Sequence, residues 1–189
     1  MTRPPLILAS ASPRRADLLK WAGVDFEIHP VDLDESRQAG EAPADYAARL
    51  ARTKALAGGH GPRLVLGADT IVVLEDRILG KPAGPAEARS YLADLNGRTH
   101  QVATAFCLTA AGQVLSSQAV FSRVTFRRLT RAMIEDYAAT GEGLDKAGAY
   151  GLQGRGWSLI ENVEGSLTNV MGLPLTEVLA ALDRIGHFG

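Results

Sequence analysis

The chain has 189 residues, 46% hydrophobic and 22% charged, the composition of a globular protein with one moderate domain or one domain in two lobes. A formal net charge of −1 gives no global basic field to hold nucleic acid or an anionic membrane. No apolar run reaches the roughly 18 residues of a bilayer span, and the apolar stretch in MTRPPLILAS is too short for a signal peptide.

In chain order, LILAS (6–10) reads as a short buried strand. A helix follows from Pro13, with Ser12 as N-cap, and stops at Gly23. DFEIHP (25–30) alternates like a strand. Residues 31–43 form an acidic loop, and 44–58 have helical spacing with a glycine stop. Residues 63–82 carry the strongest strand signal, a hairpin turning at Glu75-Asp76. Residues 85–97 predict a helix, 98–129 a pair of strands around Ala111-Gly112, and 130–141 a helix capped by Thr130. Residues 146–156 are a glycine-rich loop, WSLIENVEG (157–165) a strand, and 173–185 a final helix. Strands and helices mix without a strict βαβ rhythm, so the expected fold is a mixed sheet flanked by helices. No repeat or low-complexity linker divides residues 1–189, which read as a single domain.

The single cysteine, Cys107, permits no internal disulfide and predicts a cytoplasmic protein. It lies in an apolar run, as a buried structural thiol does. The 20 basic residues comprise 16 arginines and four lysines, so Lys20, Lys54, Lys81 and Lys146 merit inspection singly. Lys20 reads as a surface charge, and Lys54, late on its helix, is favoured there by the helix dipole. In ASASPRR (9–15), Arg14 and Arg15 fall in the first helical turn, where cations cost a few tenths of a kcal/mol each. That placement makes sense if an anion is shared between the arginines and the free backbone N–H groups; otherwise both are solvated.

Asp69 sits in LVLGADTIVV, a run otherwise built for burial. An unpaired carboxylate there costs several kcal/mol, so it demands a cation, donors or a raised pKa. Either it pairs with a buried arginine or it is a metal-bound or water-activating acid. Gly67 and Ala68 are small enough to let a ligand approach the backbone, and Thr70 adds a hydroxyl. Asp32, Asp34 and Glu35 form an acidic loop cluster that, joined to Asp69, makes an oxygen-rich site of the kind magnesium prefers.

LGKP (79–82) is not a P-loop: Glu75 and Pro82 stand where that motif needs Gly and Ser/Thr. Lys81 is better read as a point charge at a hairpin end. In KAGAYGLQG, three spaced glycines imply unusual dihedrals or close backbone approach. Lys146 and Gln153 project from that loop, and Gln153 has the donor and acceptor to read a base edge. His29, His60, His100 and His187 lack zinc-ligand spacing, no nucleophile elbow appears, and RVTFRR (123–128) reads as a solvated strand face. Clustered cations beside acids that want a divalent ion are equipment for a polyphosphate.

ASASPRR, the acidic DES segment, LARTKA, GADTIVV, LGKP, DKAGAYGLQG and NVMGLP, in that order, resemble the Maf family of nucleoside triphosphate pyrophosphatases over nearly the whole chain. The resemblance implies an elongated mixed α/β fold related to the inosine triphosphatase-like proteins, with a cleft between two lobes. It implies cleavage between the α and β phosphates with a divalent cation, Mg2+ or Mn2+. It makes Ser10, Arg14, Arg15, Lys54 and Lys81 phosphate contacts, Glu35 and Asp69 metal-binding and catalytic acids, and Gln153 a neighbour of the base. Lys81 with the metal would neutralise the leaving group, and Asp69 would orient or deprotonate water; which carboxylate is the base stays open. GADT and GLQG resemble the dTTP/UTP branch, whose purpose would be removal of unwanted or modified nucleotides. A homodimer is compatible with the resemblance. The rival reading is a non-catalytic nucleotide-binding regulator linked to septum formation; the full set of carboxylates argues against it, because a binder needs only the cations.

Overall fold

The computed structural model describes residues 5–59 and 61–188. His60 and the first four residues, which enter the zinc and signal-peptide readings, lie outside them. The elements are β1 (Leu6–Leu8), α1 (Pro13–Trp21), β2 (Phe26–Ile28), α2 (Pro43–Ala57), β3 (Val65–Leu74), β4 (Arg77–Leu79), α3 (Pro85–Leu95), β5 (Thr99–Ala110), β6 (Gln113–Phe126), α4 (Arg131–Ala139), β7 (Ile160–Glu164), α5 (Leu167–Val170) and α6 (Leu175–Arg184). Among the described residues they build a mixed sheet of seven strands in the order β2-β1-β3-β5-β6-β7, with β4 paired to β3.

Both neighbours of β1 run parallel to it, with Leu6 opposite Phe26 and Ile7 opposite Val65. Such pairs need a crossover, which α1 supplies between β1 and β2. The pairs β3–β4 and β6–β7 are antiparallel. The hairpins turn where expected: Glu75 has φ 55°, and Ala111 and Gly112 have φ 50° and 75°. Thr130 caps α4, its hydroxyl accepting the Met133 N–H at 3.3 Å. Cys107 is fully buried, and burial pushes its thiol pKa up, as a structural role requires.

Three local readings change. Ser12 occupies the N-cap of α1 but makes no side-chain cap; its own N–H donates to Ser10 Oγ at 3.2 Å. The strand expected over 157–165 begins only at Ile160, because Gly154–Leu159 wind into a 3-10 turn. The four-residue α5, capped by Ser166, was not anticipated.

The chain divides into two compact units, Met1–Asp69 with Thr104–Val120 and Gly172–Gly189, and Thr70–Ala103 with Phe121–Met171. The second has a large apolar core that includes Val72, Leu92, Val124, Phe126 and Tyr150. In the first, Ile7, Ala9 and Val65 pack together. No helix among the described residues is long and apolar enough to cross a membrane.

Candidate active site

In the first unit, helix α2 closes on strand β3 at Gly67. A Cβ built there would lie 2.3 Å from the Ala51 carbonyl oxygen and 2.4 Å from the Ala55 nitrogen. The sequence reading gave this space to a ligand; the helix backbone fills it instead. Asp69 is two residues along the same strand and so shares the Gly67 face. Lys54 lies between Ala51 and Ala55 in helical spacing. Removing the Cβ at 67 is therefore what brings helix and strand close enough for Lys54 to meet Asp69.

The meeting is tight. Lys54 Nζ donates to Asp69 Oδ1 at 2.6 Å and stands 2.6 Å from Glu35 Oε1. The Lys54 and Asp69 side chains are 9% and 11% exposed, that of Glu35 43%. The dipole reading of Lys54 thus gives way to a stronger one, an ammonium bridging two carboxylates. The demand of Asp69 for a cation is met directly by Lys54, with the charge of buried Arg15 acting on it as well.

Of the acidic loop cluster, only Glu35 is seen to reach this point. Asp34 accepts the Ser36 N–H at 2.9 Å, which holds its carboxyl below the usual range. Asp32 is exposed. Two residues of α2 that the sequence reading passed over hold the loop. Tyr46 donates its hydroxyl to the Glu35 carbonyl at 2.7 Å. Arg49 grips both carboxylate oxygens of Glu41 at 2.6 and 2.9 Å and donates to the Ser36 carbonyl at 3.0 Å. Positions 46, 49 and 50, 53 and 54 recur along one side of a helix; a tyrosine and an arginine aligned with a lysine were the available signal.

Arg15 is buried, 8% exposed. Its Nη1 donates to Ser10 Oγ at 3.0 Å and its Nε to the Gly172 carbonyl at 2.8 Å. Gly172 has φ 111°, a conformation that favours glycine. The guanidinium is thus locked between β1's exit and the turn before α6. Burial pulls its pKa down while the charges of Asp69 and then Glu35 pull it back up, so cation and carboxylates share one field. Arg14 is half-buried in the same first turn of α1.

The other predicted residues belong to the second unit. Thr70 is partly buried and directly follows Asp69 in β3. Lys81 is exposed just beyond β4. The carbonyl of the preceding Gly80 accepts the Gly148 N–H at 3.1 Å, tying the Lys81 turn to the glycine-rich loop. Gln153 is half-buried at the N-cap of the 3-10 turn. That turn is fixed by Glu142, whose carboxylate accepts the N–H groups of Arg155 and Gly156 at 3.0 and 3.2 Å and the Tyr137 hydroxyl at 3.2 Å. Glu142 carries no motif that sequence alone would flag. Lys146 does not project: its ammonium donates to Asp145 Oδ1 at 2.7 Å and to the Glu142 carbonyl.

Over 183 residues, 96% of this chain and 92% of the relative, the sequence is 49% identical to a dTTP/UTP pyrophosphatase of Myxococcus xanthus. It is 51% identical to a dTTP/UTP pyrophosphatase of Moorella thermoacetica over 184 residues, 96% and 95% of the two chains. Among solved structures, a HAM1 protein from Coxiella burnetii shares the fold with TM-score 0.54 at 15% identity, covering 96% of this chain and all (100%) of that one. A nucleoside-triphosphatase / dITP/XTP pyrophosphatase from Mycobacterium abscessus does so with TM-score 0.50 at 16% identity, covering 98% and 100%. These two likenesses carry the expected inosine triphosphatase-like sheet and nothing about chemistry. Residues 5–185 match the family model for the Maf-like protein, and the chain belongs to that family.

Proposed function

We propose that the chain hydrolyses dTTP and UTP between the α and β phosphates, releasing the monophosphate and pyrophosphate. The observation that carries this is identity of about half over nearly full length to relatives bearing the name dTTP/UTP pyrophosphatase. The first unit's geometry supports it: buried cations and carboxylates share one field, as a polyphosphate with its counterion requires. The regulator reading has no such support, since binding alone gives no use for a buried acid.

A divalent ion fits the acids. One ammonium already satisfies Asp69 Oδ1 and Glu35 Oε1 together, so both oxygens converge on a single cation position. Among the described residues no cluster of three or more His, Cys, Asp or Glu forms an all-protein cage. Two carboxylates completed by waters and substrate phosphates are what magnesium takes. When bound there, a divalent ion neutralises phosphate charge and acidifies water.

In this reading Asp69 and Glu35 hold that ion, and Asp69 orients or deprotonates the attacking water. Arg14 and Arg15 attract phosphate oxygens at the start of α1, with Ser10 fixing the Arg15 fork. Lys54 and Lys81 stabilise charge growing on the leaving pyrophosphate, Thr70 contacts the phosphates and Gln153 reads the base. The tests use UTP and dTTP with Mg2+ or Mn2+, with and without chelator, and identify products. Monophosphate and pyrophosphate, lost on chelation, are expected. Orthophosphate as first product would make the protein a phosphatase and overturn the assignment.

A further inference from the structure

We propose that Lys54 is a built-in counterion competing with the divalent ion for Glu35 and Asp69, and that the displaced ammonium is the one presented to the phosphates. This rests on the metal-dependent reading above. Lys54 Nζ stands 2.6 Å from a carboxylate oxygen of each acid, so two anions converge on one ammonium, with the Arg15 charge in the same field. A divalent ion neutralises the pair fully; the ammonium does not. The two cations compete because both are drawn to the same pair of carboxylates.

The seam beneath Lys54 and Asp69 leaves no slack. Helix α2 is pressed onto β3 at Gly67 with no room for even a methyl group. The flexible four-carbon stem of Lys54 lets its head swing elsewhere. With 9% of its side chain exposed, that head is shielded from water and needs another anion on leaving the acids. A polyphosphate supplies one. Lys54 therefore lowers metal affinity in the nucleotide-free protein and couples metal loading to the arrival of substrate.

The test is Mn2+ binding to the nucleotide-free protein, read by the electron paramagnetic resonance signal of free Mn2+. Lys54→Met is expected to bind Mn2+ at least ~10-fold more tightly than the parent, a modest fraction of what one unit charge at such range can do. The gain disappears when Asp69→Asn is added. Thermal unfolding gives a second reading: Mn2+ should raise the midpoint of the variant more than that of the parent. Lys54→Gln, which keeps a donor for one acid, tests the same claim should Lys54→Met fail to fold. Equal or weaker Mn2+ binding by the folded variant overturns the proposal. Product identity with UTP is measured separately. Tighter Mn2+ binding without UTP hydrolysis would retain the counterion and sink the enzymatic reading; hydrolysis with unchanged Mn2+ affinity would do the reverse.

Discussion

The two units differ in what they bury. Among the described residues, the first buries charge: Arg15, Lys54 and Asp69 are 8%, 7% and 8% exposed. Both bury neutral polar groups, Ser10, Thr104 and Thr109 in the first, but in the second the described buried polar residues are all neutral, His100 at 3%, Ser122 at 2% and Asn169 at 0%. In the second unit each has an evident structural task. Asn169 Nδ2 donates to the Val102 carbonyl at 3.1 Å and to Ser122 Oγ at 2.9 Å, pinning α5 to the sheet. Buried ions are different, since desolvation costs several kcal/mol each and apolar replacements often match or exceed them in stability. Arg15 ties the exit of β1 to the turn before α6, but stability alone gives the first unit no reason to keep the Lys54–Asp69 pair. The contrast is what the proposed anionic ligand and its counterion would require.

The largest expected effect tests that assignment. Asp69→Asn preserves shape and removes the charge, leaving Lys54 its contact with Glu35. Turnover of UTP should fall on the order of 10²–10³-fold or more, with circular dichroism unchanged. Near-normal turnover would make the buried charges structural and abolish the difference between the units.

Next in size is the seam that creates the charged pair. Gly67→Ala must push α2 off β3, because the new methyl meets helix backbone at 2.3 Å. Denaturant unfolding should show a loss of about 3 kcal/mol, the upper part of the overpacking range. Gly80→Ala in the second unit has nothing within 4 Å of the added carbon and should stay within about 0.5 kcal/mol of the parent. Similar values for the two would mean that α2 slides easily and that Gly67 does not position Lys54.

These two variants also mark what could be read from the chain. Caps and hairpin turns were legible because their causes are local: Pro at a helix start, Thr130 before α4, Ala111-Gly112 between alternating runs. Asp69 was legible because an acid in an apolar strand has to be explained. Its partner was not, for Lys54 looked satisfied by its own helix end, and only tertiary closure at Gly67 redirects it. The same glycine was misassigned to a ligand because a gap in side-chain volume does not say what fills it. Arg15 finds the Gly172 carbonyl 157 positions away, a distance over which spacing carries no information. Glu142 stayed invisible because its work, binding two backbone N–H groups, requires a fold before it has meaning. Helix α5, Leu167–Val170, is too short for any periodicity to register.

The smallest effect probes the second unit's neutral burial through pH. His100 packs edge-on against the rings of Phe126 and Tyr150, its Nε2 sharing a 2.7 Å hydrogen bond with the Tyr150 hydroxyl. Burial lowers its pKa from 6.5 to about 4, and burial raises that of Tyr150, so both are neutral near pH 7. Between those two pH values the unfolded chain holds a proton on this histidine and the folded chain does not, so stability rises with pH across the interval and is lost on acidification. From pH 7 to pH 5 the loss should be about 2 kcal/mol, some 1.5 pH units at about 1.4 kcal/mol each. Glu27, Asp34 and Glu41 act in the same direction but lower down, because their folded pKa values are depressed and their contribution persists until pH falls below the ordinary carboxylate range. Those carboxylates therefore add little to the change between pH 7 and pH 5. His100→Gln keeps a partner for Tyr150 without titrating there, and its stability should change by about 2 kcal/mol less than that of the parent over the same interval. An equal change in both proteins would place the acid sensitivity elsewhere and leave the second unit's preference for neutral groups without this energetic signature.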